Sequence, residues 1–106
     1  MYILFDIGGT KIRVARSDDG KTFDEPVIIE NPKKYDEAMA LIKENAPLNG
    51  EKPEAAAGGM AGTFNKEKSV LTRSPNLPNL EGKPIKEDLE KIFGTTVSLE
   101  NDTALV

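Results

Sequence analysis

The start of the chain carries two strand-like segments separated by a glycine pair. Residues 1–5 form an apolar run, which is followed closely by Gly8-Gly9. Beyond the glycines, residues 11–14 alternate polar and apolar, so a second strand is expected to return beside the first. We therefore predict a tight β-hairpin made of strands Tyr2–Ile7 and Lys11–Ser17.

The next part of the chain has a third strand pattern and then a helical one. Residues 22–29 read as a strand that is interrupted near Pro26. Asn31-Pro32 is typical of an N-cap followed by proline at the first helical position. The helix is predicted to end before Pro47. Apolar residues on one face of this helix recur at helical spacing, and they are Tyr35, Ala38, Met39 and Ile42.

The second half alternates short strands with one more helix. Residues 54–58 predict a buried strand, residues 60–71 predict a hairpin-like excursion, and residues 74–80 are proline-rich and irregular. A second helix is stopped by Gly94, and residues 95–99 form a β-branched strand. The apolar face of that helix comprises Ile85, Leu89, Ile92 and Phe93. This order of elements predicts an α/β layer with a mixed β-sheet.

The tip of the first hairpin holds the candidate chemistry. Asp6, Gly8, Gly9, Thr10 and Lys11 place a carboxylate, two glycines and a hydroxyl at one turn. Glycine lets backbone N–H groups approach a ligand closely, and such concavities suit phosphate. A plain hairpin turn is the alternative, because Gly-Gly is a common hairpin dipeptide. The P-loop and dinucleotide patterns do not fit, since both require a helix after the glycines.

Composition narrows the chemistry further. The chain has a net charge of −4, with 38% hydrophobic and 30% charged residues, which fits a soluble globular protein. Without a basic stripe or Trp, nucleic acid is not an expected partner, and no apolar run reaches membrane-spanning length. Cysteine and histidine are absent, so acid–base chemistry falls to carboxylates and a bound cation should be hard, such as Mg²⁺. A cytoplasmic location is expected.

A second carboxylate, Asp102, follows the last predicted strand with Asn101 beside it. Helix capping is one explanation, because Asn and Asp accept hydrogen bonds from free N–H groups. In open α/β sheets, however, ligands bind at the carboxyl ends of strands, and Asp6 also ends a strand. Both carboxylates could therefore face one cleft.

Four short segments together resemble the ROK-type sugar kinases of the actin-like superfamily. They are residues 6–11, 59–62, 74–78 and 100–102, in the order expected of that family. The resemblance covers essentially the whole chain. It implies an α/β fold of the actin-like (ribonuclease H-like) ATPase type, with a mixed β-sheet and flanking helices. Residues 1–106 would be the N-terminal lobe of such a kinase, with the C-terminal lobe absent.

The resemblance also implies roles for individual residues. The activity would be ATP-dependent phosphorylation of a hexose hydroxyl, with ATP and Mg²⁺ as cofactors. Asp6 would help to hold magnesium, and Asp102 would be the general base. Residues implied to bind ATP are Asp6, Gly8, Gly9, Thr10 and Lys11, and residues implied to bind the sugar are Gly62, Thr63, Asn76, Asn101 and Asp102.

Two other functions stay open at this point. One is a sugar-sensing regulator of the same family, although the first strand begins at Tyr2 and leaves no room for a preceding helix-turn-helix segment. The other is a sugar-binding domain without catalysis. An isolated lobe would bind ligands weakly and catalyse little, and its exposed inter-lobe face could promote homodimer formation. The sequence does not indicate which hexose is the substrate.

Overall fold

A computed structural model describes residues 1–74 and 77–101 of the chain. Within these residues, seven strands and two α-helices follow one another, with a short 3-10 helix at Pro78–Leu80. In chain order the elements are β1 (Tyr2–Ile7), β2 (Lys11–Ser17), β3 (Val27–Glu30), α1 (Tyr35–Asn45), β4 (Ala55–Met60), β5 (Thr63–Phe64), β6 (Leu71–Arg73), α2 (Ile85–Phe93) and β7 (Val97–Asn101).

Five of the strands form one mixed sheet in the order β3-β2-β1-β4-β7. The pairs β1–β2 and β2–β3 are antiparallel, whereas β4 and β7 run parallel to β1. Asp6 pairs with Gly59, which pairs with Glu100 on β7. The carboxyl ends of β1, β4 and β7 therefore meet at one edge of the sheet.

Apolar side chains on one face of the sheet form the core together with the two helices. Strand residues such as Ile3, Phe5 and Ile12 are buried, and the Phe5 and Phe93 rings lie 5.7 Å apart. On the opposite face, Leu4 and Ile28 are exposed. In the described part of the chain, neither helix has the length and apolar character needed to span a membrane.

Two predicted element starts are wrong. The third strand begins at Val27 instead of residue 22, because Pro26 has no N–H to donate and the Asp19 carboxylate holds the preceding loop by accepting the Lys21 and Thr22 N–H groups. The first helix begins at Tyr35, since Lys33 has a left-handed φ of 62° that no helix accommodates.

Two other strands begin and end later in the chain than predicted. They occupy Ala55–Met60 and Val97–Asn101, whereas residues 54–58 and 95–99 were predicted. Pairing decides these bounds, because β4 matches β1 from Tyr2–Ala55 to Ile7–Met60 and β7 then follows β4. The hairpin β1–β2, the end of α1 before Pro47 and the stop of α2 at Gly94 are confirmed.

Candidate functional site

The carboxyl edge of the sheet brings several predicted site residues together. The Gly8–Thr10 loop follows β1, Gly62 follows β4, and Asn101 ends β7. The Asn101 side-chain amide donates a hydrogen bond to the Gly62 carbonyl oxygen. This bond joins the ends of two parallel strands, beside the strand that carries the glycine loop.

The Gly8–Thr10 loop is not the turn of an ordinary two-residue hairpin. Such turns need positive φ, and among the described residues neither Gly9 nor Thr10, the two turn positions, has it. The Gly8 N–H donates to the Lys11 carbonyl at 2.9 Å. Within the described part of the chain, the Gly9 and Thr10 N–H groups have no hydrogen-bond partner. The loop is therefore open and presents free donors.

Gly8 is required by a close backbone approach. A Cβ atom at this position would lie 2.9 Å from the Lys11 carbonyl oxygen, which belongs to the facing strand. Any side chain would push the two strands apart at the mouth of the loop. The glycine thus keeps the hairpin narrow just before the loop opens.

The Asp6 carboxylate lies beside this loop at the end of β1. Its Oδ2 is 4.0 Å from Nη1 of Arg13, its cross-strand neighbour, and both side chains are about half exposed. Exposed ion pairs are weak, so Asp6 remains accessible to a cation or to water. Lys11 makes a similar exposed pair with Glu30 at 3.2 Å.

The carboxylate at this edge fits a magnesium ion that is bound mainly through phosphate. No group of three or more acidic, histidine or cysteine side chains that could hold a metal occurs within residues 1–74 and 77–101. Mg²⁺ commonly uses one or two carboxylates together with substrate phosphates and water. The accessible Asp6 carboxylate beside an open loop suits that mode of binding.

Gly62 has a structural role at the end of β4. Its φ is 145°, and an added Cβ would lie 2.4 Å from Leu71 Cδ2 and 2.6 Å from the Arg73 carbonyl oxygen. Ser74 closes the same corner by donating its hydroxyl to the Ala61 carbonyl at 2.6 Å. The glycine therefore lets β6 approach the Ala61–Gly62 turn closely.

Of the remaining residues that were predicted to bind the sugar, the structure describes only some. Thr63 is exposed on β5, and its carbonyl accepts a hydrogen bond from Thr72 Oγ1 at 2.9 Å. Asn76 and Asp102 lie outside the described residues. Their assignments stay predictions.

Sequence reasoning missed Asn31, which contacts the glycine loop. Its side-chain amide donates to the Gly8 carbonyl at 2.9 Å, and its backbone N–H donates to the Thr10 carbonyl at 2.9 Å. The prediction that Asn31 caps α1 is wrong, because the helix begins four residues later. Asn before Pro favours a turn. That signal would have indicated local geometry but not the contact with Gly8.

The sheet order, the helices on one face and the loop at the carboxyl edge define an actin-like ATPase fold. The sequence profile of the ROK family matches residues 2–106, and the chain belongs to that family. A glucokinase from Thermotoga maritima is 31% identical over 103 residues, covering 92% of this chain and 32% of the relative. An N-acetyl-D-glucosamine kinase from Histophilus somni is 35% identical over 108 residues, covering 96% and 34% respectively.

A solved relative has the same architecture. The ROK family glucokinase from Streptomyces griseus, crystallised with glucose and AMPPNP, matches with a TM-score of 0.81 at 26% identity. The match covers 95% of this chain and 33% of that one. The chain thus spans about a third of the length of the curated relatives it matches.

Proposed function

We propose that the protein carrying this lobe transfers the γ-phosphoryl group of ATP to a hydroxyl group of a hexose. The observation that carries the proposal is the open Gly8–Thr10 loop, whose Gly9 and Thr10 N–H groups have no partner among residues 1–74 and 77–101 and lie at the same sheet edge as Asn101. Kinase relatives that act on glucose or N-acetylglucosamine support the substrate class. The AMPPNP complex of the Streptomyces griseus protein supports ATP as the donor.

The glycine loop is assigned to the phosphate groups of the nucleotide. Free backbone donors that are already oriented bind phosphate oxygens without the reorganisation that flexible side chains require. Thr10 would add a hydroxyl, and Lys11 would add a cation once it leaves the exposed Glu30 carboxylate. Asp6 would hold magnesium through water. Magnesium bound with ATP would neutralise phosphate charge.

A second group of residues is assigned to the sugar. Thr63, Asn76 and Asn101 would hydrogen-bond its hydroxyl groups, while Gly62 would allow close approach. The hydrogen bond from Asn101 to the Gly62 carbonyl supports this assignment, because it restrains the side chain that would select hydroxyl positions. A restrained polar side chain discriminates better between epimers than a mobile one.

Asp102 is assigned as the general base. It directly follows Asn101, the last residue of β7, and would accept the proton of the attacking sugar hydroxyl. Phosphoryl transfer depends on positioning and charge stabilisation, with a carboxylate to orient the nucleophile. A general base typically contributes about 10²–10⁴-fold to the rate.

The test is sugar-dependent ADP formation by the whole protein that contains this lobe. We expect Asp102→Asn to lower kcat by about 10²–10⁴-fold while leaving the Kd for the sugar nearly unchanged. Asp24→Asn, at an exposed loop position, is the matched control and should retain wild-type turnover. A near-normal kcat for Asp102→Asn would refute the base assignment. The same assay with glucose, N-acetylglucosamine, fructose, mannose and allose would identify the substrate.

A further inference from the structure

Asn31 is buried directly after β3 and makes three hydrogen bonds, two through its side chain and one through its backbone N–H. Only 8% of the residue is exposed. Its Nδ2 donates to the Gly8 carbonyl at 2.9 Å, its Oδ1 accepts the Lys33 N–H at 2.9 Å, and its backbone N–H donates to the Thr10 carbonyl at 2.9 Å. A carbonyl can only accept and an N–H can only donate, so these partners determine the orientation of the amide.

These bonds control the direction of two loop N–H groups. The Gly8 carbonyl and the Gly9 N–H belong to one planar trans peptide, in which C=O and N–H point in opposite directions. The same holds for the Thr10 carbonyl and the Lys11 N–H. Because both carbonyls are directed at Asn31, the Gly9 and Lys11 N–H groups point away from it.

The contact replaces a bond that an ordinary hairpin would make. In a two-residue hairpin, the carbonyl before the turn accepts the N–H that follows it. Here that would be a bond from the Lys11 N–H to the Gly8 carbonyl, and within the described part of the chain Asn31 takes this acceptor instead. The loop therefore stays open.

We propose that Asn31 is a positioning residue for this loop: it aims the Gly9 and Lys11 N–H groups at a phosphate group without contacting the phosphate. The ligand assignment rests on the proposed function, whereas the orientation of the N–H groups does not. N–H groups that are already directed in this way bind an anion without the free-energy cost of reorganising the loop.

The segment around Asn31 is itself held in place. Pro32 has a restricted φ, and Lys33 adopts a left-handed φ of 62° that the Asn31 side chain supports through its bond to the Lys33 N–H. Asn31 is thus anchored before any ligand binds. The orientation of the loop is a property of the free protein.

Residual dipolar couplings of the ligand-free chain test the orientation directly. The variant is Asn31→Ser, which keeps an oxygen for the Lys33 N–H but is too short to bridge to Gly8. We expect the Gly9 and Lys11 couplings to change while those of β1 stay as in the wild type. Unchanged couplings at Gly9 and Lys11 would overturn the proposal.

Titration with magnesium-AMPPNP tests the consequence for binding. We expect Asn31→Ser to weaken the nucleotide Kd by about tenfold, a size typical of residues that orient binding groups. Asn65→Ser is the matched control, because Asn65 organises the β5–β6 turn by accepting the Ser69 and Val70 N–H groups. It should leave the Kd within about twofold, since its contacts are remote from the loop.

The outcomes separate the two proposals. If the wild type shows no nucleotide-dependent shifts at Gly9 to Lys11, the proposed function fails, while the couplings still decide the role of Asn31. If the wild type binds nucleotide and Asn31→Ser binds equally well, the positioning role is wrong. Should the variant not fold, the wild type is decisive: a missing scalar coupling between Asn31 Nδ2 and the Gly8 carbonyl carbon would overturn the proposal.

Discussion

Two glycines of the candidate site differ in backbone conformation and in surroundings. Gly62 combines a φ of 145° with close contact to Leu71 and Arg73, so both its backbone and its surroundings exclude a side chain. Gly9 does not have positive φ, and its N–H is free within the described residues. The first glycine serves packing, and the second is suited to ligand approach.

We predict that Gly62→Ala destabilises the protein by roughly 2–4 kcal/mol, because overpacking and backbone strain add. Gly82→Ala is the control, since Gly82 has a φ of 74° but nothing within 4 Å of an added Cβ. It should cost only about 1 kcal/mol of backbone strain. Urea denaturation measures both free energies of unfolding, and equal losses would contradict the packing role of Gly62.

We predict that Gly9→Val weakens magnesium-AMPPNP binding by at least about tenfold, because a branched side chain would occupy space that a phosphate must approach. Ala57→Val, at an exposed position of β4, adds bulk away from the loop and should leave the affinity unchanged. Isothermal titration calorimetry measures both values. Wild-type affinity in Gly9→Val would remove the loop from the nucleotide site.

At the scale of elements, a tertiary contact overrides a local capping rule. Asn31-Pro32 has the sequence of a helix start, yet α1 begins at Tyr35 and Lys34 makes no side-chain cap. The Asn31 amide is occupied by the Gly8 carbonyl, which is distant in sequence. Propensity could not reveal this, because the competing partner becomes available only when β1, β2 and β3 are paired.

The two helices are linked by a partly buried hydrogen bond. The Tyr35 hydroxyl on α1 donates to the Asp88 carboxylate on α2. Burial, and then the hydrogen bond to Asp88, raises the pKa of Tyr35 well above its usual range. The neutral phenol is therefore the form that the folded state prefers.

This raised pKa predicts a loss of stability at high pH. Unfolded Tyr titrates near pH 10, so the contribution of Tyr35 is complete below about pH 10 and decreases as the pH rises toward the folded pKa. Urea denaturation at pH 8 and pH 10.5 should show a smaller decline for Tyr35→Phe than for the wild type. Tyr2 is present in both proteins, so its own titration cancels. An identical decline would contradict the assignment.

At the scale of the whole molecule, the sheet collects residues that are far apart in sequence. The loop after Asp6, the glycine at position 62 and Asn101 reach one edge because β1, β4 and β7 are parallel. All three lie at one sheet edge of a chain that spans about a third of its relatives' length. A kinase must also enclose the nucleotide and exclude water.

We therefore expect the isolated 106-residue chain to bind magnesium-AMPPNP weakly and to form no sugar-dependent ADP above background. A coupled assay at high protein concentration measures this, with glucose and N-acetylglucosamine as trial sugars. A full-length ROK sugar kinase serves as the positive control. Robust turnover by the isolated chain would show that this lobe alone completes the active site.

The sequence by itself determined the first hairpin, the end of each helix and the segments that identify the family. These features are local, since glycine, proline and apolar spacing act within a few residues. It also indicated that strand ends would meet at one edge, because parallel strands share a carboxyl edge.

Only the tertiary structure decided the strand bounds, the start of α1 and the role of Asn31. Strand limits follow from pairing with β1, and the function of a buried amide follows from whichever group lies opposite it. From the sequence, Asn31 could have capped the helix or formed a hydrogen bond to the glycine loop. The folded sheet places the Gly8 carbonyl within reach of the Asn31 amide. A buried polar group is most stable when it has a hydrogen-bond partner.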